Sequence, residues 1–312
     1  MRASFVVVVV LIGVVASASL VSVQRDFVPP RTPWGDPDLQ GMWPTGALVG
    51  VPFERAPELG TRDTLSDAEI AKFYGEFRTQ LSSSNVNPPE HWLELTIPTR
   101  QASLIVDPAN GRLPAMTPDG QRRARTWPVP STSYFTGPED FNPYDRCITR
   151  GVLGSAFPNA YSSGMQILQA PGVITVFHEM IHEARVIPVD GRPHVNERIR
   201  SYMGDPKGRW ERDTLVVETT NFNGRTGSYA RNGNGNPTST SLRLVERFTL
   251  VAADTLRYEV VVNDTGTWTR PWTVAFSIQR DPGYAMYEYA CHEGNYALPN
   301  MLSASRAADA VR

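Results

Sequence analysis

The chain has 312 residues, with 30 basic against 32 acidic side chains and a net charge of −2. That balance, with no Lys/Arg cluster, excludes the cationic surface a nucleic-acid partner needs, while the length suffices to bury a sizeable core as one or two domains. Only two cysteines occur, Cys147 and Cys291, too far apart in sequence to form a zinc ribbon.

Met1 and Arg2 lead into an apolar run over 5–15, followed by Ala16-Ser17-Ala18. This pattern predicts a signal peptide over residues 1–18 and a periplasmic or secreted mature protein. The run is shorter than the roughly 20 apolar residues a span requires, so no stable membrane span is expected after its removal. In an oxidising compartment Cys147 and Cys291 are expected to form one disulfide, closing a loop of about 140 residues. Two buried free thiols are the alternative.

Proline then divides the chain, for 18 of the 26 prolines lie between Pro29 and Pro158. Proline removes a backbone donor and interrupts helices and ladders alike, so residues 19–160 read as a mostly irregular wrapping region. One helix is expected inside it, near 66–81. Ser66-Asp67-Ala68-Glu69 is a capping box, and Ile70, Phe73, Phe77 and Leu81 follow at helical spacing.

Residues 161–312 switch to strand signals. Candidates are 166–169 and 173–189, the second ending in the Asp190-Gly191 turn, then two strands around a polar turn within 208–220. A short helix is expected at 196–203. A hairpin follows, with Leu242, Leu244, Phe248 and Leu250 alternating against Leu256, Tyr258, Val260 and Val262. Trp272, Val274, Phe276 and Ile278 alternate next, and 284–292 reads as a last strand. Short strands at hairpin spacing predict a mainly β fold, an antiparallel lipocalin-like barrel over 161–312.

His178-Glu179-Met180-Ile181-His182 matches H-E-x-x-H. The motif binds zinc only on a helix, where both imidazoles share a face about 6 Å apart; on a strand they stand about 13 Å apart. Val173, Ile174, Thr175, Val176 and Phe177 are all strand formers, Pro188 limits any helix, and further zinc-protease ligands are missing. The prediction is one strand whose face of Ile174, Val176, His178, Met180, His182, Ala184 and Val186 is apolar apart from its histidines. On it His178 and His182 are separate groups pointing into an interior, as proton carriers or as ligands of a metal completed elsewhere. No cofactor is otherwise implied; a single divalent metal is compatible with these side chains.

In strand alternation Glu288 and His292 share a face, and adjacency to the histidine strand would let them converge with His182. Arg185 and Arg192 could clamp a carboxylate or pair with Glu183 and Asp190. Trp268-Thr269-Arg270-Pro271-Trp272 suggests an arginine between aromatics, lining a ligand mouth or sealing a barrel end. Tyr287 joins the candidate substrate contacts. No nucleophile elbow, Walker loop or dinucleotide fingerprint is present.

Taken together, TPWGDPDLQGMW, SLIVDPANGRLP, RCITRG, EMIHEARVIPVDGRPH, MGDPKGRWERDTLVVETTNFNG and YEYACHEGNYALPNML resemble an uncharacterised family of exported bacterial proteins, over nearly all of the mature chain. The resemblance implies no activity. It does imply that the H-E-x-x-H match is incidental and that Glu179, His182 and Arg185 matter more than His178. The lipocalin-like likeness of the second half is an analogy of architecture, which hosts carriers and enzymes alike.

The leading reading is an exported enzyme performing acid/base chemistry (hydration, elimination, isomerisation or hydrolysis) on a small organic molecule in a barrel cavity. His182 would be acid or base, Glu179 or Glu288 its orienting group, His292 a second proton carrier and Arg185 the substrate anchor. His178, Tyr287, Trp268 and Trp272 would complete the substrate site. A non-catalytic small-molecule carrier and a zinc metallopeptidase are the alternatives.

Overall fold

The computed structural model describes residues 27–83, 99–127, 135–227 and 235–310. The expected signal peptide lies outside them. The protein is mainly β, built from two antiparallel sheets. The first has four strands in the order β1 (Gly41–Met42), β3 (Met165–Ala170), β4 (Val173–His178) and β5 (Glu183–Pro188). The second has six, in the order β2 (Ile105–Asp107), β10 (Trp272–Gln279), β9 (Thr255–Asn263), β8 (Arg243–Ala252), β7 (Thr214–Thr220) and β6 (Asp205–Glu211). Among the described residues the ladders close no ring, so the expected barrel resolves into two sheets. Within the described residues no helix is long and apolar enough to cross a membrane.

The period-2 pattern of the second half sets the register of the larger sheet. Phe248 pairs with Tyr258, and Tyr258 with Phe276, so three rings stand in one row across β8, β9 and β10. Their centroids lie 5.0 and 5.2 Å apart, within the range where tilted aromatic pairs attract. Leu215, Val217, Leu244, Leu256, Val260, Val262, Val274 and Ile278 fill the same face. Burying each such side chain contributes about 1.5–3 kcal/mol.

The proline-rich half does more than wrap. It supplies β1 to one sheet and β2 to the other, and Leu39, Trp43, Leu48, Val51, Leu104 and Ile105 enter the core shared with both sheets. The expected helix is present as α1 (Asp67–Ser83). Its capping box forms: the Glu69 N–H donates to Ser66 Oγ, and the Ser66 N–H donates to Glu69 Oε2 at 2.8 Å. Ile70 and Phe73 pack on Leu59, Leu65 and Ala102; the side chains of Phe77 and Leu81 lie outside the described ones. Three further helices are α2 (Pro118–Thr126), α3 (Gly151–Ala156) and α4 (Ala297–Asp309).

Three expected elements are corrected. The strand over 173–189 is a hairpin, β4 and β5, folded back through a tight turn at residues 179–182. Residues 196–203 form turns and no helix. Asn221 Nδ2 donates to the carbonyls of Val195, Asn196 and Ile199, acceptors a helix would have kept for itself. Residues 284–292 form an irregular arm, because its backbone is held by side chains of the β4–β5 turn and not by a neighbouring strand.

Candidate functional site

The hairpin turn determines where the candidate residues lie. Ile181 at φ +62° and His182 at φ +43° both occupy the left-handed region, unusual for any non-glycine residue and most of all for a β-branched one. This reversal changes the phase of the strand. In β4 the inward residues are Ile174, Val176 and His178, whereas in β5 they are Arg185 and Ile187, with Ala184 and Val186 turned outward. His178 and His182 therefore never share a face. His178 is buried and His182 is exposed, so the H-E-x-x-H match lacks the helical geometry that would aim both rings at one ion. Among the described residues no group of three or more His, Cys, Asp or Glu side chains is placed to hold a metal.

Arg185 lies deep between the sheets. Its guanidinium donates two parallel bonds to Glu246 on β8, at 2.9 and 2.6 Å, and a third to Thr219 Oγ1 at 3.3 Å. The Tyr258 hydroxyl donates to the same carboxylate at 3.1 Å. Burial acts to lower the Arg185 pKa, but the Glu246 charge and hydrogen bonds outweigh it and the net direction is upward. The Tyr258 phenol is driven well up by burial first and the Glu246 charge second. Arg185, the expected substrate anchor, is thus engaged within the core.

His178 stands opposite Glu183 in the register. Burial, then the charges of Arg185 and Arg150, lowers its pKa to about 3, so the ring is neutral at physiological pH. Its Nε2 has no hydrogen-bond partner among the described residues. The Glu183 carboxylate accepts from Thr149 Oγ1 at 2.6 Å and Ser155 Oγ at 3.3 Å, and burial raises its pKa against those bonds.

The turn holds the arm that follows β10. The Glu179 carboxylate, 4% exposed, accepts the Tyr284 hydroxyl at 2.6 Å and the Tyr287 backbone N–H at 3.1 Å. A Cβ on Gly164 would come within 2.6 Å of the Tyr284 ring and 2.8 Å of Glu179 Oε2, so only glycine lets the arm approach this closely. His182 Nδ1 lies 2.9 Å from the Tyr289 carbonyl. A carbonyl only accepts, so Nδ1 carries the proton and Nε2 is left as an acceptor. The disulfide Cys147–Cys291 ties the arm to the body, with S–S 2.03 Å.

Between arm and body lies a cleft of about 620 Å3. The body contributes Tyr144 and Asp145; the arm and α4 contribute Glu288, Tyr289, Cys291, Glu293, Asn295, Leu298 and Met301. The Tyr144 hydroxyl lies 3.3 Å from those of both Tyr161 and Tyr289, and the Arg150 guanidinium stacks over the Tyr144 ring at 5.1 Å. Burial pushes the Tyr144 and Tyr289 phenols upward. Burial also raises the Asp145 carboxyl to about 6, while Asn142 Nδ2 donates to it at 2.6 Å.

Of the residues expected from sequence, Glu288 lines this cleft, and Glu179 and His182 brace the arm that forms its wall. Tyr287 is 74% exposed and His292 is also exposed, neither lining the cleft. Trp268 and Trp272 are a buried edge-to-face pair in the core, 6.2 Å apart, and do not line it either. Sequence reading missed Tyr144, Asp145, Tyr289 and Glu246. Glu246 left a trace, since it occupies the one inward position of β8 that breaks the Leu242, Leu244, Phe248, Leu250 series. Asp145 lies beside Cys147, so the disulfide expectation marked its neighbourhood without marking its chemistry. The chain matches no family model, no curated protein and no solved structure.

Proposed function

We propose that the protein is an exported enzyme that performs acid/base chemistry on a small organic molecule in the cleft between body and arm. The observation that carries this reading is the convergence there of carboxyls in unlike environments. Asp145 is partly buried with its pKa raised to about 6, and Glu288 is exposed on the facing arm. Pairs of carboxyls separated in this way divide the roles of proton donor and acceptor. Tyr144 and Tyr289 supply hydroxyls beside them, and His182, hydrogen-bonded to the wall at Tyr289, offers Nε2 for proton exchange with solvent. Among the described residues no Lys, Arg or His lines the cleft while Asp145, Glu288 and Glu293 do, which favours a neutral or cationic substrate over an anionic one. The volume suits a small molecule.

The disulfide supports the exported location, since such bonds persist in oxidising compartments. The single core shared by the two sheets supports reading them as the halves of a lipocalin-like barrel. A non-catalytic carrier is the second reading, favoured by the apolar floor of Ala297, Leu298 and Met301. The test is a panel of neutral and cationic small molecules, followed by binding and by product formation. Turnover that falls at least about a hundredfold in Asp145→Asn, with binding retained, supports the enzyme. Saturable binding without product supports the carrier. Binding or turnover indifferent to both Asp145→Asn and Tyr289→Phe overturns the cleft as the site.

A further inference from the structure

Residues 281–310 contribute no strand to either sheet, and the buried members of the principal core end at Ile278. What holds this arm is a short set of ties. Among the described residues the polar ones include the two bonds to Glu179, the bond between His182 Nδ1 and the Tyr289 carbonyl, the contact of the Tyr289 and Tyr144 hydroxyls, the Asp281 N–H donating to the Met42 carbonyl, and the Phe135 N–H donating to Ser305 Oγ. The apolar one is a small satellite cluster, Leu302 against Phe135 and Phe141. The covalent one is Cys147–Cys291. Both cysteines are only partly buried, and Cys291 itself lines the cleft, so an external thiol can reach the bridge. Cys147 is held at φ +55°, a left-handed conformation that a non-glycine residue keeps only under constraint.

This bridge joins a loop of the body to an arm that contributes no strand to either sheet. The two sheets on the body side are each held by their own ladders, β1-β3-β4-β5 and β2-β10-β9-β8-β7-β6, and neither includes a bridge cysteine. We propose that Cys147–Cys291 is a thiol-sensitive latch: a dithiol reductant opens it, frees the arm and dismantles the cleft, and re-oxidation restores it. One thiolate of the dithiol attacks a bridge sulfur, the Sγ–Sγ bond breaks, and a mixed disulfide forms while the other cysteine leaves as a thiolate. The second thiol of the reductant then displaces the remaining cysteine. Two electrons pass to the protein, the reductant becomes a disulfide, and its two thiol protons end on Cys147 and Cys291. That the latch controls an activity rests on the acid/base reading of the cleft; that it controls the arm does not.

The experiment is amide hydrogen exchange on the full chain, oxidised, treated with dithiothreitol, and re-oxidised, with the Cys147→Ser/Cys291→Ser double variant alongside. The expected result is a rise of about tenfold or more in exchange over residues 284–296 on reduction and in the double variant, with β8, β9 and β10 unchanged. Re-oxidation of the wild-type chain returns the arm to its protected level. Unchanged exchange in the arm overturns the latch. A rise that spreads through β8–β10 also overturns it, because the bridge would then be a staple for the whole fold. None of these readouts needs a substrate, so failure of the enzymatic reading and failure of the latch are separately visible.

Discussion

The Arg185–Glu246 pair offers the sharpest test of how the two sheets are joined. Both side chains are almost fully buried, at 2% and 0% exposure, and two parallel hydrogen bonds connect them. In Glu246→Gln the guanidinium stays in the core without a counter-charge, and removing one partner of such a pair costs about 3–5 kcal/mol. The Tyr258 hydroxyl keeps a neutral acceptor, so its loss adds little. For a protein of this size that cost lowers the melting temperature by roughly 6–15 °C. The triple variant Arg185→Met/Glu246→Leu/Tyr258→Phe removes charge and polar partners together, and should recover at least half of the loss, because no ion is then left desolvated. Equilibrium urea unfolding at pH 7, followed by tryptophan fluorescence, measures both. A cost under about 1 kcal/mol for Glu246→Gln would refute the buried charge pair. So would a triple variant as unstable as the sum of its single changes.

Three further outcomes follow. His178 has its pKa lowered to about 3, so between that value and the unfolded value near 6.5 the unfolded chain holds a proton the folded one lacks. Its stability contribution is present above pH 6.5 and is lost as pH falls, by about 3 kcal/mol at pH 4.5; the unfolding free energy of His178→Gln should be flatter over that window by this amount. The Asp145 carboxyl, raised to about 6, contributes stability that is complete below its unfolded pKa and lost as pH rises through 6. Turnover that uses its proton should decline with the same midpoint, and Asp145→Asn should remove that limb of the profile. Arg212 sits exposed at φ +57° in the two-residue turn between β6 and β7, and Arg212→Asn should raise stability by about 0.5–1 kcal/mol in the same urea assay.

The β8–β9–β10 part of the larger sheet was legible in the sequence because these strands alternate over a long run, and a period-2 pattern buried on one side fixes register, whereas the three-residue β2 gave no such signal. Ser66 and Glu69 likewise announce α1 by a local bond. The candidate site was harder to see. At the β4–β5 turn Ile181 and His182 carry no glycine or asparagine to signal left-handed backbone, so the hairpin reads as one strand; Met180 is buried as expected, and the inward assignments from His182 onward (His182, Ala184, Val186) are inverted. The arm misled in the opposite way. Tyr284, Met286, Glu288 and Ala290 alternate as a strand would, but the arm is held at Tyr284, Tyr287 and Tyr289 by a carboxylate and an imidazole more than a hundred residues earlier, and no local pattern encodes them.

The placement of β1 and β2 also bears on how the chain acquires its shape. Met42 waits for Gln166, and Asp107 waits for Thr273, so each sheet is completed by a segment made long before its partner. A polypeptide emerging from its amino end can finish the smaller sheet once Pro188 has appeared, but the larger one must wait for Gln279. Contacts separated this widely slow assembly, because loop closure must precede any reward from pairing. The nascent chain therefore holds its larger sheet open through most of its synthesis, with β2 unpaired until β10 gives it an edge to join.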